Sequence, residues 1–231
     1  DEIANRTINA QAERLSELME EKQELKGFKQ GIDLFKYDKL VIPDGIIKIS
    51  DYAFANLKEV TSIEINEGPT QLSNRMFYGC TKLINLNGEG FNLPSSVDAI
   101  GNYAFGSAMK SLTSFEIPEN VTTIGEYAFK DFGSITELTV PNTVTSIGYG
   151  AFYQMNTLVD ITLPFIGESI DSEVKFYHVF STIPLTLRSI TITKDTTLPN
   201  NCFENLSNIE AINIPDETEI ISKEAFINCE S

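Results

Sequence analysis

The stretch EIPENVTTIGEYAF occupies 116–129, and the chain reads TVPNTVTSIGYGAF 23 residues later, at 139–152. Neither copy holds a recognisable reactive group, so the repetition points to a building rule rather than a duplicated active site. The Phe that closes each copy recurs as Phe54, Phe77, Phe105, Phe129, Phe152, Phe180, Phe203 and Phe226, at intervals of 23, 28, 24, 23, 28, 23 and 23. A fixed period of this length is the mark of a solenoid or propeller. It predicts eight coils, two of them enlarged, near 83–94 and 164–180.

The other columns follow from the same ruler. Five residues before each Phe stand Ile49, Leu72, Ile100, Ile124, Ile147, Leu198 and Ile221, with Lys175 as the single break. About twelve before it comes an apolar pair two apart: Leu40/Ile42, Ile63/Ile65, Phe91/Leu93, Phe115/Ile117, Leu138/Val140, Ile161/Leu163, Ile190/Ile192 and Ile212/Ile214. Period two puts both members of a pair on one face of a strand. A Pro often follows, as at Pro118, Pro141 and Pro164, and ends the strand by removing a donor. Each coil is therefore expected to be a short strand, a bend, a second extended piece and a tight turn around the Ala-Phe step. Parallel stacking of the strands about 4.8 Å apart joins the columns into one core.

The repeats LTSFEIPENVTTIGEYAFKDF (112–132) and INIPDETEIISKEAFINC (212–229) resemble the BspA-like, treponeme-type leucine-rich repeats, from roughly Asp38 to the C-terminus. In the sixth coil, P-F-I-G at 164–167 followed by an aromatic cluster is similar to a variant of that repeat. The resemblance implies a right-handed parallel leucine-rich-repeat solenoid on a secreted or surface-anchored protein, mostly of gut or oral bacteria and also of some parasitic protists. It implies adhesion or binding as the activity.

Residues 1–30 depart from the pattern. Ile8, Leu15, Leu18, Met19 and Leu25 among polar residues, uninterrupted by Gly or Pro until Gly27, predict an amphipathic helix. Its expected role is a cap on the first coil of a solenoid that spans 31–231, or a coiled-coil linker, since Ala4, Ile8, Leu15, Leu18 and Leu25 also fall on heptad positions. A start at Asp1 without Met suggests a processed terminus, and Ser231 follows directly on a complete turn, so the natural protein is expected to continue.

The chain of 231 residues carries 17 Lys and Arg against 33 Asp and Glu, a formal charge of -16. No cation cluster suits nucleic acid, and no apolar run of about 18 residues suits a membrane span. With three Cys, no CxxC and one His, nothing predicts a zinc site. Cys80 and Cys229 each stand three residues after a column Phe, on the order of 29 Å apart at one strand spacing per coil, too far for a disulfide. No cofactor and no catalytic residue is assigned. His178 lacks a nucleophile elbow, NGEG at 87–90 lacks a following helix and Lys, and the carboxylates of neighbouring strands have no pocket or stacking aromatics.

The expected function is a non-enzymatic extracellular or cell-surface interaction module that binds a protein or glycan on a host or neighbouring cell. A ligand-free structural spacer is the alternative, and a glycan-active enzyme a remote one. Two surfaces could carry binding. On the strand face, Glu116, Glu137, Thr139, Asp160 and Thr162 point outward beside the apolar pairs, a polar ladder suited to a basic or hydrogen-bonding partner. In the enlarged sixth coil, Tyr177 and His178 stand beside Glu168, Asp171 and Glu173. Phe165, Phe176 and Phe180 are expected to fill the gap that Lys175 leaves in its column.

Overall fold

A computed structural model describes residues 38–229 other than 43, 66 and 171, together with the short strands Thr7–Asn9, Leu18–Met19 and Glu24–Leu25. It is a parallel β-solenoid of eight coils, one for each column Phe. Two strand columns run along it. The first comprises Lys39–Val41, Ser62–Glu64, Asn85–Leu86, Glu137–Thr139, Asp160–Leu163, Ser189–Ile192 and Ala211–Asn213. The second comprises Lys48–Ile49, Gln71–Leu72, Ala99–Ile100, Thr123–Ile124, Ser146–Ile147, Thr197–Leu198 and Ile220–Ile221.

Register follows the aliphatic columns. Leu138 faces Ile161, Ile161 faces Ile190 and Ile190 faces Ile212 in the first. Leu72, Ile100, Ile124 and Ile147 align in the second. A slip of one residue would send every aliphatic side chain to solvent.

Between the columns lies a stack of phenylalanines. Ring centroids are 5.8 Å apart for Phe54–Phe77, 5.1 Å for Phe77–Phe105, 5.6 Å for Phe105–Phe129 and 6.0 Å for Phe129–Phe152. The stack stays unbroken through the enlarged sixth coil because Phe176 inserts between Phe180 and Phe203, 5.6 Å from each. Phe165, Phe176 and Phe180 are all buried, as expected, while Lys175 turns outward to an ion pair with Glu204 at 2.7 Å.

The turns around Ala-Phe form a third ladder. Alternate N–H groups donate along the axis, as from Tyr127 to Tyr149 O, Phe129 to Ala151 O and Asp131 to Tyr153 O, at 2.8 to 3.1 Å. This direction requires left-handed backbone two residues either side of the Phe, at Tyr127 (φ 52°) and Asp131 (φ 54°) for example. Non-glycine residues adopt it at some cost, and the bonds to the next coil offset that cost. Where the chain bends into the turn, coils approach so closely that a Cβ on Gly148 would collide with the backbone of Gly125 and Glu126.

Three expectations need correction. In the third coil the residue facing Ile63 is Leu86, with Asn85 beside Ser62, rather than Phe91 and its neighbours. The extra residues follow the strand instead of preceding it. The loop 87–92 closes on itself, as Leu86 N–H donates to Gly90 O (2.7 Å) and Asn92 N–H to Leu86 O (3.0 Å). Phe91 is thereby driven inward against Phe105, Phe115 and Phe132, at 5.0, 5.2 and 5.8 Å.

The second correction follows from the first. Phe115/Ile117 belong to no strand, because the loop already occupies the backbone of Leu86 with which the fourth coil would pair. The first column therefore falls into two sheets, one ending at Asn85–Leu86 and one beginning at Glu137–Thr139.

The third concerns the helix expected over 1–30. Its described residues are strands: Ile8 lies in register with Leu40, Leu25 with Ile49, and Leu18–Met19 runs antiparallel to Glu24–Leu25. A helix would leave the first coil's backbone edges unpaired, whereas these strands carry both ladders one row further. The heptad reading fails at the same positions. The remaining residues of 1–30 lie outside the described ones.

Candidate functional site

Two surfaces bring the predicted residues together, and each is shaped by one of the enlarged coils. On the strand face, Glu137 lies in register with Asp160, and Thr139 with Thr162. Leu138 and Ile161 between them are buried, so alternation turns these four outward. Glu116 is exposed in the fourth coil, across the break in the sheet.

At that break the strand Glu137–Thr139 presents an unpaired edge. Asp160 N–H donates to Thr136 O (3.1 Å) and Val140 N–H to Thr162 O (2.9 Å). Alternate residues of a parallel strand bond to opposite sides, so Leu138 also bonds toward the sixth coil while the backbone groups of Glu137 and Thr139 face the fourth. There, among the described residues, Thr113 to Ile117 make no backbone hydrogen bond. Between the two segments lies an open groove of about 620 Å³, lined by Ser114, Phe115, Glu116, Thr136, Glu137 and Thr139 among others.

In the sixth coil, the predicted residues gather around Ile147 of the fifth. Ile147 N–H donates to Glu168 O at 2.9 Å, and Ile147 O lies 3.2 Å from His178 Nε2. His178 is half-buried and meets Tyr149 edge-on at 5.6 Å. Tyr177, in the 3-10 turn Phe176–Val179, is 48% exposed, and the Glu168 and Glu173 side chains are exposed. Asp171 lies outside the described residues.

The turn face also carries a feature that the column reading passed over. Tyr52, Arg75, Tyr103, Tyr127, Tyr149 and His178 form a continuous ladder over six coils. The Arg75 guanidinium lies 5.4 Å from the Tyr52 ring and 4.6 Å from that of Tyr103, and donates to Tyr52 Oη at 3.0 Å. Tyr103 stacks on Tyr127 at 4.9 Å, and Tyr127 meets Tyr149 edge-on at 5.7 Å. Desolvation within the ladder, then the neighbouring Tyr149 and Tyr103 hydroxyls, push the Tyr127 phenol above its ordinary range. The available signal was a Tyr two residues before Phe54, Phe105 and Phe129.

Two of the three thiols are held in the core. Burial pushes Cys80 and Cys202 up to about 12, and all three cysteines are free. Since the thiolate is the reactive form, native protein at pH 8 is expected to react slowly at Cys80 and Cys202. A thiol reagent should then titrate three equivalents after denaturation, and fewer would reveal a disulfide. Among the described residues no group of three or more His, Cys, Asp or Glu could hold a metal ion. No helix among them is long and apolar enough to cross a membrane.

A profile described as BspA type leucine rich repeat region matches residues 33–107 and 85–198, in six copies. The chain belongs to the BspA-type leucine-rich-repeat family. Solved leucine-rich-repeat proteins share the fold. A leucine-rich repeat protein of T. pallidum is 19% identical, with 93% of this chain and 86% of that one covered at a TM-score of 0.58. One from Bacteroides ovatus is also 19% identical, covering 90% and 75% at 0.51. One from Eubacterium ventriosum is 18% identical, covering 88% and 56% at 0.54. These likenesses concern the fold. No curated protein matches the chain.

Proposed function

We propose that this BspA-type solenoid is a non-enzymatic interaction module at a cell surface or outside the cell, and that it binds an extended segment of a partner protein along the strand-face groove. The observation that supports this is the unpaired edge of Glu137–Thr139 beside that groove. An incoming strand would complete the hydrogen bonds that the fourth coil leaves open, as in other cases of strand addition at a sheet edge. Outward Glu116, Glu137 and Asp160 would select against acidic segments, and Thr139 and Thr162 would offer hydroxyl contacts. Peptides enriched on the immobilised protein from a displayed random library are expected to lose at least about tenfold in affinity for Glu116→Lys/Glu137→Lys. The melting temperature should stay unchanged, since both side chains are exposed. No enrichment would favour the ligand-free spacer, and enrichment insensitive to the double substitution would move binding away from the groove.

A further inference from the structure

The tyrosine ladder shows how this face treats cations. Arg75 takes the place of a ring between Tyr52 and Tyr103, and Lys130 Nζ lies 5.5 Å from the centre of the Tyr153 ring. Both are cation–π contacts within their usual range. At the other end, where the ladder closes on His178, no Lys or Arg lies over a ring among the described residues. Tyr149 is 38% exposed, and among the described residues rings approach it only edge-on, from Tyr127 and His178. Tyr177 is more exposed still and has no ring or cation contact among the described residues. The Ser181 hydroxyl, 2.8 Å from Tyr149 Oη, helps to hold that ring in place. The segment 164–178 has one cation, Lys175, already paired with Glu204, while Glu168 and Glu173 project from it into solvent.

We propose that Tyr149, which meets His178 where the ladder ends, and Tyr177, the chain neighbour of His178, form a recognition site for arginine side chains of a basic protein segment, with Glu168 and Glu173 as counter-charges. Tyrosine suits such a site because it offers a large amphipathic contact at low conformational cost, and the backbone hydrogen bond from Ile147 N–H to Glu168 O holds the loop against the fifth coil in advance. The site rests on the interaction-module reading but not on the strand-face groove, which lies on another face of the coil.

The probe is an octa-arginine peptide, titrated at about 0.15 M salt, where long-range attraction to the acidic chain is screened. The chain has no Trp, so intrinsic fluorescence reports its tyrosines directly. Tyr149→Ala/Tyr177→Ala is expected to weaken binding about tenfold, the sum of two exposed cation–π contacts. Tyr149→Phe/Tyr177→Phe, which keeps both rings, should bind within about twofold of the parent. Because Tyr149 also packs within the ladder, Tyr177→Ala alone serves as the variant that leaves the fold untouched, with an expected loss of about threefold. Glu168→Gln/Glu173→Gln should weaken binding, and Glu217→Gln/Glu219→Gln on the exposed eighth coil should not. Equal losses from the two carboxylate pairs, or none from removing the rings, would overturn the proposal in favour of general attraction to an acidic protein. Groove variants that lose library peptides yet keep octa-arginine would separate the two surfaces.

Discussion

Phe129→Ala is expected to destabilise the protein by about 3–5 kcal/mol, the range for removing a fully buried aromatic. Phe129 has no exposed surface and sits mid-stack, with Phe105 5.6 Å to one side and Phe152 6.0 Å to the other. Phe115 and Phe132 close around it at 5.2 Å each. The cavity cannot collapse readily, because the backbone on either side is tied to its neighbours by the turn ladder. Phe129 N–H donates to Ala151 O, and Ala128 O accepts from Phe105 N–H. In a solenoid each coil touches only its neighbours, so loss at the centre also uncouples the two halves. Urea unfolding of the variant should show a lower midpoint and a broader transition than the parent. Glu126→Ala, on the exposed side of the same coil, should change stability by less than about 0.5 kcal/mol. Comparable losses in both variants would mean that the columns do not carry the stability.

The second large effect is expected at Asp195, which is 1% exposed and accepts the Ile166 N–H at 2.6 Å through Oδ2. The bond ties the sixth-coil loop to the coil that follows it. Removing the carboxylate in Asp195→Ala leaves a buried backbone donor unsatisfied and gives up a charge-assisted bond, at about 2–3 kcal/mol. For a chain of this size that corresponds to a fall in melting temperature of roughly 4–12 °C. Asp195→Asn keeps an acceptor oxygen in place and should lose less than half as much. A fall of the same size in both variants would show that the charge, rather than the bond to Ile166, holds the loop.

The columns could be read from the residues because they are local. A Phe every 23 residues, with an aliphatic five before it, needs no knowledge of neighbours to be assigned to the core, and all seven Phe from Phe54 to Phe203 are fully buried. Phe226 is the exception at 37% exposed, since no described coil covers it. The buried cysteines follow from the same rule, as does the inward turn of Phe165 and Phe176. The tyrosine ladder was equally present in the spacing, but only left-handed backbone at the turn brings those rings into one line.

What the sequence by itself determined is the coil: its period, its apolar columns, its eightfold repetition and the coils where five residues are added. It could not say on which side of a strand an addition falls, because counting from a fixed Phe gives the same total either way. The tertiary structure decided that. Placing 87–91 after Asn85–Leu86 lets the loop take the hydrogen bonds meant for the fourth coil, and this alone splits the strand face and leaves the edge of Glu137–Thr139 open. It likewise decided that the described residues near the N-terminus are strands, since the pull of an unpaired backbone edge lies in the partner and not in the segment that answers it.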